Sequence, residues 1–246
     1  MPIFSDAWRA LRRNWLWAGA YVGASLGAGA AFKVYSDWSR TVVGDGVVPP
    51  KIALLGLSAD LLYLAILAAF TAVIFAEMGK EMDRPLWKCG GAGEALRRYF
   101  VPWFLIALIN ITTGRLMIQA AQAGDGSLAL LLEFCRMCLI MLSVPVGACI
   151  MYHRGLVWKE LPDALAPLTR LLSPTLGVLL LGMFQWALWF TLILAIPDEM
   201  RGSTLLLVLI EAPLVLIDCY VFCAVWHICM LDRDTQSEDF GNDFDF

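Results

Sequence analysis

The chain has 246 residues, of which 60% are hydrophobic and 16% are charged, and its formal net charge is −4. A water-soluble domain of this composition would expose far more apolar surface than such domains do, so we expect lipid around much of it. The charge gives no support to nucleic-acid binding, and the lipid bilayer is the expected partner.

Six apolar stretches follow one another along the chain, each close to the ~20 residues that a helix needs to cross a bilayer. They occupy residues 15–31, 52–76, 100–121, 128–152, 176–196 and 204–230. The sequence therefore predicts an all-α, polytopic integral membrane protein with six transmembrane helices in one domain, residues 1–231. An acidic segment, residues 232–246, follows it and is predicted to be a disordered C-terminal tail.

Short amphipathic segments precede the first, third and fifth stretches. They start at Asp6, Glu94 and Asp163, and each continues with Ala, Leu and Arg residues before the chain becomes apolar. An acid is favoured at a helix N-terminus, and basic amphipathic helices lie at membrane surfaces. The spacing predicts three helical hairpins, each preceded by a short interfacial helix.

Basic residues are concentrated on one side of the predicted membrane. The N-terminus and the second and fourth connections contain most of them: Arg9, Arg12, Arg13, Lys80, Arg84, Lys88, Arg97, Arg98, Arg154, Lys159 and Arg170. Because cytoplasmic loops carry the excess of Lys and Arg, we expect a bacterial inner-membrane protein with both termini in the cytoplasm.

This layout, with Ser143-Val-Pro145-Val-Gly147 in the fourth stretch and Asp163-Ala-Leu before the fifth, resembles a known family. It is similar to uncharacterised bacterial six-helix membrane proteins of the UPF0259 type. It is also similar to the membrane domain fused to some glycerophosphodiester phosphodiesterases, although their catalytic domain has no counterpart in these 246 residues. The resemblance implies a membrane domain of three hairpins and implies no activity.

Six charged residues lie inside the predicted spans, where each is costly. They are Asp60, Arg115, Glu133, Arg136, Glu211 and Asp218. One interpretation is an intramembrane polar network of ion pairs that fixes how the helices pack. The other is a path for protons or cations, because Glu211 and Asp218 are two helical turns apart on one face. The sequence leaves both open.

Two Cys/His pairs with i, i+4 spacing end the fourth and sixth stretches. They are Cys149 with His153 and Cys223 with His227, and Glu77 holds the equivalent place after the second stretch. Together they could form a zinc site, or an iron site with the carboxylate. The alternative is ordinary packing, with cysteine as a small apolar residue and histidine near a helix C-terminus. No other cofactor is indicated.

Two further features point toward protein partners. Gly19, Gly23 and Gly27 form a stripe that allows close helix contact, with another helix of this chain or with another subunit. In the acidic tail, Phe240, Phe244 and Phe246 could anchor in a basic groove of a partner, or the tail could simply be solvated.

No phosphate-binding loop, nucleophile elbow or metalloprotease motif occurs in the sequence, so we expect no enzymatic activity. The main hypothesis is a non-enzymatic accessory or scaffold subunit of a larger membrane complex, with other membrane-protein subunits as partners. One alternative is a transporter or permease subunit that uses the intramembrane carboxylates. Another is a membrane redox protein that binds metal or haem through the Cys/His pairs.

Overall fold

The computed structural model describes residues 2–43, 50–83, 90–153, 160–196 and 203–242, and the regular elements in those ranges are all α-helices. In chain order they are α1 (Pro2–Arg13), α2 (Trp15–Val43), α3 (Pro50–Met82), α4 (Ala92–Gln122), α5 (Gly126–Tyr152), α6 (Leu161–Arg170), α7 (Leu172–Ala195) and α8 (Thr204–Asn242). The predicted all-α class is confirmed for this part of the chain.

Five of the described helices are long and apolar enough to cross a membrane: α3, α4, α5, α7 and α8. Their composition fits a polytopic membrane protein whose outer surfaces contact lipid. The first predicted span lies in α2, which has 29 residues but is less apolar, because glycine, serine and tryptophan interrupt its aliphatic residues. A sixth span therefore stays a prediction.

Helix α8 is the central element of the bundle. It packs against α1, α2, α3, α5, α6 and α7, while α4 packs on its sequence neighbours α3 and α5. The connection between α4 and α5 is a tight turn in which Gly124 has a φ of 79°, a backbone conformation that glycine adopts without strain. Asp125 then caps α5 by accepting a hydrogen bond from the Leu128 backbone N–H at 3.0 Å.

The bundle is packed most densely at the end where α1 lies, which we call the α1 end. There the Phe75 ring of α3 lies 5.4 Å from the Trp103 ring of α4 and 4.3 Å from the Phe222 ring of α8, measured between centroids. Two glycines make room for tryptophan rings. A Cβ atom on Gly79 would overlap Trp226, and one on Gly147 would overlap Trp103. Close packing of this kind holds the helices at fixed distances.

Two of the three predicted interfacial helices exist as separate elements. Helix α1 buries Ile3 and Leu11 and exposes Arg12 and Arg13, and α6 begins two residues before Asp163 and ends at Arg170. The segment at Glu94 is different, because it forms the first turns of α4 and continues without a break. A turn at Asn14 ends α1 and a non-helical Leu171 ends α6, but no such interruption follows Glu94.

Helix α8 runs past the predicted boundary at Leu231 and continues to Asn242, so residues 232–242 are helical where a disordered tail was predicted. Two residues at the start of this extension, Asp232 and Arg233, form ion pairs with residues outside α8. Arg170 Nη1 of α6 donates to Asp232 Oδ2 at 3.2 Å, and Arg233 Nη1 donates to Asp83 Oδ2, just after α3, at 3.2 Å. Phe240 lies in this extension, whereas Phe244 and Phe246 lie outside the described residues.

Candidate cation site between the spans

The charged residues predicted inside the spans fall into separate groups. Asp60 of α3 is buried and forms an ion pair with Arg115 of α4. Within α5, Arg136 donates from Nε to Glu133 Oε2 at 3.0 Å and from Nη2 to Glu133 Oε1 at 3.2 Å. The predicted ion pairs are thus formed, one between two helices and one within a helix. They do not join in one network, since Glu211 and Asp218 of α8 belong to neither pair.

Glu211 and Asp218 line two cavities on either side of α8. The first, which we call the α2 cavity, has a volume of about 410 Å³ and is bounded by α2, α3 and α8, with Tyr21 and Lys33 in its wall. Helix α2 comes close to the carboxylate here, because a Cβ atom on Gly29 would lie 3.9 Å from Glu211 Oε2.

The second, the α7 cavity, has a volume of about 450 Å³ and is bounded by α3, α5, α7 and α8. Its wall includes Arg136, Gln185, Trp186 and Trp189. Tyr63, Glu211, Val215 and Asp218 line both cavities, so the two spaces adjoin at these four residues. A small solute in either cavity would lie beside the same two carboxylates.

Within the described ranges, hydrogen bonds hold Asp218 in place but not Glu211. Gln185 Nε2 of α7 donates to Asp218 Oδ1 at 2.8 Å and to the Leu214 carbonyl oxygen at 2.9 Å. This bidentate contact fixes α7 against α8 and orients the Asp218 carboxylate. Pro213 follows two residues after Glu211 and removes one backbone N–H from α8, so the helical hydrogen-bond ladder is interrupted next to that acid.

The basic residues in the cavity walls are already paired with acids of their own helices. Lys33 Nζ contacts Asp37 Oδ2 at 3.1 Å in α2, and Arg136 is held by Glu133 in α5. Among the residues that the structure describes, no basic side chain pairs with Glu211 or Asp218. The bundle therefore contains two carboxylates whose charge no described basic residue balances by direct contact.

The predicted metal ligands are not brought together. Cys149 of α5 meets Cys229 of α8, with 3.6 Å between the Sγ atoms, instead of Cys223. Cys229 is six residues after Cys223 and so lies on another face of α8. Glu77 pairs with Lys80 at 3.3 Å. In the described part of the chain, no three His, Cys, Asp or Glu residues are grouped so that they could hold a metal ion.

The two histidines also lie in different surroundings. His227 lines a small cavity beside α1 with Asp6 and Arg9. His153 follows α5, where burial lowers its pKa and the nearby Asp232, Asp163 and Glu160 act in the opposite direction. Because each histidine has its own set of charged neighbours, the two pairs do not form one tetrahedral site.

No family model, curated protein or solved structure matches this chain. The similarity to the UPF0259-type proteins accordingly stays a prediction.

Three residues of the site were missed in the sequence. Gln185 is a polar residue inside an apolar stretch, so the cost of an unpaired amide in lipid could have revealed it. Tyr63 and Trp186 gave no such signal, because aromatic residues are common in spans and only the fold shows which of them face a cavity.

Proposed function

We propose that this chain is a six-span protein of the bacterial inner membrane that carries a cation, either a proton or a cationic solute, past Glu211 and Asp218. It would then be a transporter or a permease subunit, and α2 would be the sixth span. The observation that carries the proposal is the position of two carboxylates, without a basic partner among the described residues, where two cavities adjoin.

The energetics of the membrane support this interpretation. An ionised acid at the centre of a spanning helix costs about 3 kcal/mol on insertion scales, and such residues mark ion or substrate paths. Asp60 and Glu133 each offset that cost with a basic partner. Glu211 and Asp218 lack one in the described residues, and a bound cation would supply the missing charge.

The position of α1 supports the sixth span and the common side of both termini. The Tyr220 hydroxyl of α8 donates to the Phe4 carbonyl oxygen of α1 at 3.1 Å, so α1 lies against the second half of the apolar stretch 204–230. The extension of α8 beyond Asp232 leaves the bundle at this same end. A chain whose two ends lie on the same side crosses the membrane an even number of times. Five spans are an odd number, so a sixth crossing is needed.

Flux measurements in proteoliposomes test the proposal. With an imposed potential, negative inside, we expect uptake of protons or of a fluorescent cationic dye above that of empty liposomes. Glu211→Gln and Asp218→Asn should each reduce it about tenfold or more, because each removes a charge that the cation would contact. Asp163→Asn, an exposed acid of α6 outside the cavities, is the matched control and should leave the flux unchanged. Flux equal to that of empty liposomes, or flux unaffected by both cavity substitutions, would overturn the proposal.

The scaffold hypothesis remains as a second candidate because of one observation on α2. Gly19, Gly23 and Gly27 are exposed, and a Cβ atom on each would meet nothing within 4 Å. The stripe therefore contacts no other described helix, which favours a partner outside this chain over an internal one. Gly23→Leu should leave thermal stability unchanged but reduce co-purification with partner subunits in mild detergent. Gly56→Leu, also unobstructed in α3, is the control; equal recovery of partners with both variants would exclude the stripe as the contact.

A further inference from the structure

We infer that the ligand of the α7 cavity is a protonated organic amine. This inference rests on the proposed function, because it supposes that the cavities hold a cation. It goes further by choosing one chemical class of cation among three: protons, inorganic ions and organic amines.

The geometry disfavours an inorganic ion as the main occupant. Hard cations such as Mg²⁺ or Ca²⁺ take six or more oxygen ligands at short range. Glu211 and Asp218 are about 10 Å apart along the helix, at 1.5 Å per residue, so they cannot both coordinate one ion. No cluster of three metal-binding side chains occurs among the described residues. A space of about 450 Å³ is within the usual size range of small-molecule sites.

The aromatic wall of the cavity suits an organic cation. Trp186 and Trp189 of α7 line it, and the guanidinium of Arg136 already lies 5.8 Å from the centre of the Trp189 ring. Aromatic faces attract cations through their quadrupole, most strongly where water is absent. An organic ammonium would therefore gain a charge contact from an acid of α8 and apolar contact from the rings. A bare inorganic ion would lose its hydration shell without replacing it.

The charge balance of the cavity leads to the same class. Arg136 is neutralised by the two hydrogen bonds that it donates to Glu133. Glu211 and Asp218 are then the unbalanced charges in the wall, and Gln185 orients Asp218 without neutralising it. A neutral ligand would leave both acids uncompensated, whereas an amine would balance one of them.

Binding to the full-length chain in nanodiscs tests this inference, with tryptophan fluorescence and thermal shift as readouts. The probes are 2-amino-1-phenylethanol, 2-phenylethylamine and the uncharged 2-phenylethanol, each titrated at pH 7, with NaCl as the ionic control. We expect saturable binding of both amines and none of 2-phenylethanol. Glu211→Gln or Asp218→Asn should weaken binding of the amines about tenfold or more. Asp163→Asn should change nothing.

The outcomes separate this inference from the proposal on which it rests. Equal binding of 2-phenylethanol, or no saturable binding of either amine to the folded wild-type chain, would overturn the inference. If flux of protons that depends on Glu211 persists in that case, the proposed function stands and only the ligand class is wrong. If flux is also absent, both fail. The comparison of charged and uncharged probes needs no variant, so it holds even if a substitution prevents folding.

Discussion

The acid Asp60 of α3 has a basic partner, Arg115, on another helix, whereas Glu211 and Asp218 have no basic partner among the described residues. Asp60 is buried, whereas the side chain of Arg115 is 51% exposed. Water can therefore solvate the charge of Arg115 far better than the charge of Asp60. Loss of the arginine would leave a buried carboxylate with no opposite charge, which is the costly direction.

Replacing Arg115 by Leu should therefore lower the free energy of unfolding by about 2 kcal/mol, less than for a fully buried pair because Arg115 is half exposed. The double variant Asp60→Asn with Arg115→Leu should recover part of that loss, since it removes the stranded charge. Thermal unfolding in detergent measures both. Equal losses in the single and double variants would show that the pair contributes no coupling.

A smaller effect is expected at Asp125, the residue that caps α5. Hydrogen bonds from the Leu128 backbone N–H and the Ser127 hydroxyl hold the pKa of this carboxyl below its ordinary value of 3.8. Because the folded pKa is below the unfolded one, the cap stabilises the helix start above about pH 4, and this contribution is lost as the pH falls through the folded-state pKa.

Hydrogen exchange in the first turn of α5, corrected for the intrinsic rate, should therefore show less protection at pH 3 than at pH 7 in the wild type. Asp125→Asn should show little difference between the two conditions, because Asn also caps helices but does not titrate. Asp125→Ala should be poorly protected at both. A wild type with the same protection at both pH values would contradict the role of this carboxylate.

At the scale of the helices, the predicted tail has two parts, one that contacts other helices of the chain and one that was predicted to bind a partner. Asp232 and Arg233 contact α6 and the end of α3, while the acids and phenylalanines beyond them were predicted to bind a partner. Truncation at two neighbouring points can distinguish these roles.

Deletion of residues 234–246 should leave thermal stability nearly unchanged, because both ion pairs are retained. Deletion of residues 232–246 removes Asp232 and Arg233, leaves Asp83 without Arg233, and should lower the melting temperature clearly. If docking through Phe240, Phe244 and Phe246 is real, the shorter deletion should also weaken partner association. Equal melting temperatures of the two truncations would rule out the ion pairs as the reason why the extension is ordered.

The long apolar helices could be predicted because a span needs a fixed length and composition, which the sequence displays directly. The break between α1 and α2 was also predictable, since a charged amphipathic turn meets an apolar run. The helical extension after Leu231 was not, because its acids are compatible with disorder unless Arg170 and Asp83 are known to be near.

Of the residues in the candidate site, only the two acids could be predicted from the sequence. Glu211 and Asp218 stand out in an apolar stretch, and their spacing gives a common face. That Gln185 holds one of them and that Trp186 lies beside them depends on how α7 packs on α8, which no local pattern encodes. How the Cys/His pairs lie relative to one another was not predictable for the same reason, since i, i+4 spacing aligns residues within a helix but does not specify which face meets its neighbour.

For the whole molecule, the side of the membrane on which each terminus lies is the most direct test of the six-span topology. Reporter enzymes fused after residue 242 and before residue 2 should both be active in their cytoplasmic form and silent in their periplasmic form. A third fusion in the turn at Gly124, between α4 and α5, should give the opposite pattern. Termini that report from opposite sides would mean that α2 does not cross, and that five spans are the correct number.

The uneven packing of α8 has a mechanical consequence. Aromatic rings pack around Phe222 and hold that part of α8 in place, whereas the N-terminal part of the helix borders the α2 cavity and the α7 cavity. Tilting about such a fixed point displaces each residue in proportion to its distance from it. Asp218 is about 6 Å from Phe222 along the axis and Glu211 is about 16 Å away, so the same small rotation moves Glu211 more than twice as far. The two acids of α8 thus differ in reach, and a tilt of the helix would displace Glu211 toward α2 or α7 more than twice as far as Asp218.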